Sequence, residues 1–122
     1  MMGSKKSILE ARFIELWRAH DGAELAEEFR FHHTRRWRLD YAHLPSMTAI
    51  ELQGGVWMAK GGHNTGTGIT RDCEKGNEAK FLGWTVFHLT KDMIHGANVQ
   101  RIIDHTNHHK KDNNNVKKKS KN

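Results

Sequence analysis

Arg36-Trp-Arg-Leu-Asp40-Tyr-Ala-His-Leu-Pro45-Ser-Met-Thr-Ala-Ile50-Glu-Leu-Gln-Gly-Gly55-Val-Trp57 is the stretch whose reading decides the fold. Pro45-Ser46 supplies a two-residue turn, and Trp37, Leu39 and Tyr41 on one side, then Ile50 and Leu52 on the other, alternate with polar residues at the period of half-buried strands. The stretch therefore reads as a β-hairpin. A turn centred on Pro45-Ser46 opposes Asp40 to Glu51 and Arg38 to Gln53. Like charges facing each other across a ladder destabilise a sheet, because the Cβ atoms stand only about 5 Å apart. A cation should neutralise the pair. A hard divalent ion such as Mg²⁺ takes oxygen ligands, with one or two carboxylates completed by waters and phosphate oxygens.

Outward from the hairpin, the chain divides by pattern. Residues 1–6 read as a loose leader. Ser7 and Glu10 form a capping-box pattern, and Leu9, Phe13, Leu16 and Trp17 follow at helical spacing, so a first helix is expected to end near Asp21-Gly22. Glu10 lies on its polar side, a secondary candidate for reaching a metal. Phe29 and Phe31 alternate with Arg30 and His32, which predicts a strand over 29–32 and three antiparallel strands in succession.

After Gln53 come the glycines of 54–55 and 61–68, expected to form a functional loop over the acidic hairpin. No Lys-Ser or Lys-Thr follows them, which excludes a phosphate-binding P-loop. A second helix is expected over 70–82, with Gly83 beyond its end. Asp72, Lys75, Ala79 and Leu82 share one stripe of it, and Gly76 suggests a close backbone approach. Residues 84–90 are apolar enough for a strand covered on both faces, parallel to the strand carrying Glu51. Thr90 would cap a last helix with Met93, Gly96, Val99 and Ile103 as its apolar stripe.

The totals bound the function. The 122 residues suffice for one domain, read as 7–106, followed by a basic low-complexity tail over 107–122. From His109 onward six lysines face one aspartate, so the tail carries +5 of the formal +6 and the body only +1. Lys117, Lys118 and Lys119 could then add sequence-independent attraction to phosphates, or simply keep the chain soluble. Cys73, the one cysteine, excludes an internal disulfide and is expected to be a small buried or half-buried side chain. Neither a signal peptide nor a membrane span is evident, so the expected location is the cytoplasm of a bacterial or phage-infected host cell, with no membrane partner. His105 and His109 have the spacing of helical metal ligands but lack a clear third ligand.

Taken in order, Asp40, ten intervening residues, Glu51-Leu52-Gln53-Gly54-Gly55-Val56-Trp57 and an αβββαβ arrangement resemble the PD-(D/E)XK nuclease superfamily. The closest resemblance is to compact phage and bacterial enzymes related to very-short-patch repair endonucleases and small Holliday junction resolvases. Arg35-Arg36-Trp37-Arg38, Gly62-His63, Asp72-Cys73-Glu74-Lys75-Gly76-Asn77 and Gly83-Trp84-Thr85-Val86 extend the match over roughly residues 31–93. The resemblance implies an α/β fold with a restriction-endonuclease-like core, a mixed four-stranded sheet flanked by helices. It implies a metal held by Asp40, Glu51 and the Leu52 carbonyl, Mg²⁺ with Mn²⁺ as a substitute, and hydrolysis of DNA phosphodiesters.

Gln53 stands where the family has a lysine. Lys75 from the next helix, or His63 from the glycine loop, would replace it; a histidine suits proton transfer near neutral pH. Asp72 and Asn77 are secondary candidates. Arg35, Arg36, Arg38 and Lys60 are expected to contact phosphates, and Trp57 and Trp84 to pack in the core. Duplex or branched DNA, such as a Holliday junction, and a homodimer with one site per strand are the expected partners. The competing reading is a nuclease-fold DNA-binding protein that has lost catalysis, Gln53 being the trace of that loss. A zinc-dependent regulator built on the histidines is the third.

Overall fold

The computed structural model describes residues 7–53 and 66–121, with side chains as far as residue 109. Its order is α1 (Ile8–Ala19), β1 (Ala26–Arg30), β2 (Arg38–His43), β3 (Thr48–Gln53), α2 (Gly66–Phe81), β4 (Thr85–Thr90) and α3 (Gly96–Lys121). The strands form one mixed sheet in the order β1-β2-β3-β4, antiparallel except for the parallel β3–β4 pair. Among the described residues, an α/β architecture with a mixed four-stranded sheet and three helices is therefore established.

Each helix end has a local cause. Ser7 Oγ accepts from the Glu10 amide at 3.1 Å while Glu10 Oε1 accepts from the Ser7 amide at 2.9 Å, the reciprocal capping box that starts α1. Asp21 takes the left-handed conformation after α1, leaving Gly22 a different task. A Cβ on Gly22 would overlap the Trp17 indole, whose Nε1 donates to the Ala23 carbonyl at 2.7 Å. Gly22→Ala is accordingly expected to displace Trp17 and cost about 1–3 kcal/mol, the usual range for overpacking. Urea unfolding would measure it, and a loss below about 0.5 kcal/mol would refute the account. At the other end of the molecule Gly83, at φ +96°, closes α2 in a Schellman motif: Trp84 N donates to Ala79 O at 2.9 Å and Gly83 N to Lys80 O at 3.0 Å.

Two cores result, one on each face of the sheet. Phe13, Trp17, Tyr41, Ile50, Leu89 and the α3 residues Val99, Ile102 and Ile103 form the larger. Leu39, Ala42, Ala49, Ala79 and Trp84 form the smaller, under α2, with Phe29 against Trp84 at a centroid distance of 5.6 Å. Trp84 thus packs in the core as expected.

The hairpin register is as expected: Tyr41, Ala42 and His43 pair with Ile50, Ala49 and Thr48. Its turn is not a two-residue turn. Leu44–Ser46 make a 3-10 turn and Met47, at φ 50°, completes the reversal. Buried His43 donates from Nδ1 to Ser46 Oγ at 2.7 Å, which donates in turn to Thr48 Oγ1 at 2.9 Å, so the tight connection carries its own polar network.

The expected alternation also breaks. Tyr41 enters the larger core, whereas Leu39 enters the smaller one with Ala42. Residues three apart cannot share a face in a regular strand. The flip sits at Asp40. On the β1 side the paired residues run 26–42, 27–41, 29–39 and 30–38, omitting Glu28 and Asp40, and Glu28 lies at φ 51°. Both strands reverse sides at this point together.

Several expectations need correcting. The first strand spans Ala26–Arg30, not 29–32, and α2 begins at Gly66, four residues before Thr70. Cys73 is exposed, as a residue on the outer side of α2 must be. A Cβ on Gly76 would meet nothing within 4 Å, so among the described residues no backbone approaches there. Strand β4 lies at the edge of the described sheet and is covered only in part: Val86 packs against the smaller core and Phe87 and Leu89 against the larger, while Thr85 and His88 are exposed. Thr90 precedes a 3-10 turn over Lys91–Met93 instead of capping α3, and Met93, 40% exposed, leaves the buried stripe, as does Leu82. The long helix α3 runs on through the stretch read as a tail, to Lys121.

Candidate active site

The break at Asp40 creates the site. Where the β2–β3 ladder should continue to the Asp40–Glu51 and Leu39–Leu52 pairs, side chains take the place of backbone. Asp40 N donates to Glu51 Oε2 at 2.8 Å and Leu52 N donates to Asp40 Oδ2 at 2.9 Å. The two carboxylates are thereby cross-tied, each to the backbone of the other's strand. In an extended strand the N–H and C=O of one residue point to the same side. Since the Leu52 N–H turns toward Asp40, its carbonyl turns the same way, away from β4.

Lys75 enters from α2 and places Nζ 2.8 Å from Glu51 Oε1. Glu51 is 9% exposed, so the ammonium relieves a carboxylate that burial would otherwise penalise. Among the described residues no cation gives Asp40 such direct relief. Its pKa is raised to about 6, chiefly because burial disfavours the charged form, with Glu51 and Glu28 adding repulsion against the opposing pull of the Leu52 amide and Lys75. A carboxyl that holds its proton this high is a place where positive charge is wanted.

These groups line a cleft of about 410 Å³ between α2 and the sheet, together with Gln53, Asp72 and His88. Gln53 Nε2 lies 3.2 Å from His88 Nδ1. His88 escapes a reading of the sequence because it is 35 residues from Gln53. Only the parallel pairing of β4 with β3, which sets Glu51 beside His88, brings it to the cleft. Asp72 is exposed at the cleft margin.

Other sequence candidates fall elsewhere. Glu10 is committed to the capping box and does not line the cleft. Asn77 faces a different recess of α2, shared with Arg35 and Trp37. Arg35, Arg36 and Arg38 are exposed on and beside the β1–β2 connection, with the Arg35 guanidinium 4.1 Å from the centre of the Trp37 ring. His32 pins that connection. Its Nδ1 accepts from the Arg35 amide at 3.0 Å, so Nε2 carries the proton and donates to Glu78 Oε1 on α2, also at 3.0 Å. His63, Lys60 and Trp57 lie outside the described residues, as do the side chains of Lys117, Lys118 and Lys119.

Among the described residues no group of three or more His, Cys, Asp and Glu gathers to hold a metal. The His105 and His109 rings stack at 3.9 Å, and burial followed by the neighbouring His109 and His108 lowers the His105 pKa. The Asp40–Glu51 site instead offers oxygen alone: two carboxylates and a carbonyl turned toward them. That donor set fits a hard divalent cation completed by water and phosphate oxygens. Also among the described residues, no helix is long and apolar enough to cross a membrane. Compared with protein-family models, curated proteins and solved structures, the chain matches none.

Proposed function

We propose that the protein is a metal-dependent DNA endonuclease with a restriction-endonuclease-like core of the PD-(D/E)XK type. The observation that carries the reading is the cross-tied Asp40–Glu51 pair with Lys75 Nζ 2.8 Å from Glu51, at the one point where both ladders of β2 open. An ordinary structural ion pair would call for one carboxylate, not two, and would not interrupt a sheet. Buried like charges persist where function requires them.

In this reading Asp40, Glu51 and the Leu52 carbonyl hold Mg²⁺, with Mn²⁺ as a substitute. A bound Mg²⁺ would supply polarisation of the scissile phosphate and a lowered pKa for the attacking water. Lys75 takes the part of the motif lysine. Its ammonium, already directed at Glu51, would stabilise the charge that builds on a phosphate oxygen during in-line attack. Gln53 cannot supply charge; held against His88, it orients water or phosphate through its amide. The exposed Arg35, Arg36 and Arg38 contact the phosphate backbone, and a symmetric dimer would present one site to each strand.

The test is cleavage of labelled duplex, single-stranded and four-way-junction DNA in Mg²⁺, Mn²⁺ or EDTA, beside Glu51→Gln. Cleavage should need the metal and fall by more than about 10²-fold in the variant, since even the supporting partners of metal ligands contribute 10- to 100-fold. Binding without cleavage under every condition would favour the inactive DNA-binding protein instead. Cleavage that survives Glu51→Gln would remove the site from this cleft.

A further inference from the structure

On the side of α2 away from the acidic cleft lies a recess of about 440 Å³ whose lining includes His32, Arg35, Trp37, Glu74, Asn77 and Phe81. Phe81 is 82% exposed, a whole aromatic ring left in solvent at the mouth of a recess. Trp37 differs: it is covered by the Arg35 guanidinium and by Phe31, nearly parallel at 11° and 6.3 Å between centroids. The recess therefore has a rigid aromatic and arginine wall on one side and a free aromatic face on the other. Glu78, its remaining carboxylate, is bound by His32. Glu74 and Asn77 are exposed, an acceptor and an amide that can both donate and accept. Arg35 also lines an adjoining recess at the first turns of α2, where Thr67, Thr70 and Arg71 stand.

We propose that this recess holds an unpaired nucleotide of the DNA substrate, its base stacked on Phe81, its edge met by Glu74 and Asn77, and its phosphates by Arg35 and Arg71. The inference deepens the nuclease reading and rests on it. A base offers its π-face to an aromatic side chain only when it has left the duplex stack, so a free Phe ring selects unpaired over paired nucleotides. Glu74 favours a base edge carrying an amino group, as cytosine N4 does, and disfavours phosphate itself; the arginines supply that attraction. The Arg35 guanidinium lies over the Trp37 ring, 4.1 Å from its centre, a position from which its N–H donors can still meet phosphate oxygens. Position also fits. At 100° per residue Lys75 and Ala79 lie on the side of α2 opposite Glu74, Asn77 and Phe81, so recess and cleft are separated by about one helix diameter, 10–12 Å. That is a span of one or two nucleotides. The substrate class is then DNA with a branch point, bulge or gap close to the scissile phosphate.

The experiment measures binding of fluorescent 24-mer DNA to the full chain in EDTA, so that cleavage plays no part. Two probes are compared, a fully paired duplex and the same duplex with a single bulged cytosine. The wild type should bind the bulged probe about tenfold more tightly, and Phe81→Ala should abolish that difference while binding the paired duplex as before, since one stacked base contributes about that much. Glu74→Gln should narrow the preference for cytosine over thymine in the bulge. Equal binding of the two probes by the wild type, or a preference unchanged in Phe81→Ala, overturns the proposal. Cleavage of both probes in Mg²⁺, run in parallel, separates the failures: activity without a bulge preference removes the recess and leaves the nuclease, whereas no activity on either probe removes the reading beneath both.

Discussion

Asp40→Asn is expected to make the metal-free protein more stable at pH 7.5 while abolishing cleavage. The sign follows from the raised pKa. Unfolded, an aspartate releases its proton near pH 4; in the folded protein Asp40 keeps it to about pH 6. Between those values the folded state binds more protons, so stability falls as pH rises, and the full penalty applies above pH 6. Asparagine resembles the protonated form in shape and charge, and its side-chain oxygen can still accept from the Leu52 amide, as Asp40 Oδ2 does at 2.9 Å. The variant therefore escapes the penalty. Asp40 is half-buried, so the gain is discounted for solvent to about 1 kcal/mol, a rise of roughly 4 °C in Tm. At pH 4, where the wild-type carboxyl is also neutral, the two Tm values should converge. Mg²⁺ should stabilise the wild type and not the variant, and cleavage should fall by more than about 10²-fold. The supporting measurements are Tm against pH, with and without Mg²⁺. A variant less stable than the wild type at pH 7.5 would show that the carboxylate is a structural group.

Local signals were legible where one physical cause dominates. Ser7 and Glu10 announce their capping box because both partners sit within one turn. Gly83 announces the end of α2 because only glycine readily adopts φ +96°. The hairpin register could be read because Pro45-Ser46 centres the turn, and the opposed Asp40 and Glu51 followed from it, though not the form of the turn. What was hidden is non-local. Nothing in Glu28 signals a left-handed residue in mid-strand, yet its conformation and the flip at Leu39–Asp40 decide which side chains face α2. Gly66-Thr67-Gly68 reads as loop, but helix α2 begins there, and the extra turn places Gly66 and Thr67 in the recess that Arg35 lines. His88 looks like one residue of an apolar strand until the parallel register sets it against Gln53. The position of Lys75 was accessible from its helical stripe, since the same side of α2 carries buried Ala79.

Lys75→Met separates a catalytic ammonium from a structural one. In the metal-free protein its Nζ is the cation beside Glu51, and methionine keeps much of the stem's packing while removing the charge. Glu51, 9% exposed, would then face Asp40 unrelieved. Leaving such a group without its partner costs about 1–3 kcal/mol. The loss should be larger at pH 8 than at pH 5, because at low pH the carboxyl pair can take up a proton instead. Divalent metal should reverse it. If lysine and Mg²⁺ compete for the same Glu51 oxygens, removing the lysine makes metal binding tighter, so Mg²⁺ should raise the Tm of the variant by more than that of the wild type. Cleavage should nevertheless fall by more than about 10²-fold at saturating metal, because the group that stabilises charge on the phosphate has gone. Tighter metal and slower chemistry in one variant form a pair of effects that a merely structural salt bridge does not produce. Wild-type cleavage in Lys75→Met would assign the missing positive charge to another residue, and His63→Ala, at the histidine of the glycine-rich segment, would then be the substitution to abolish it.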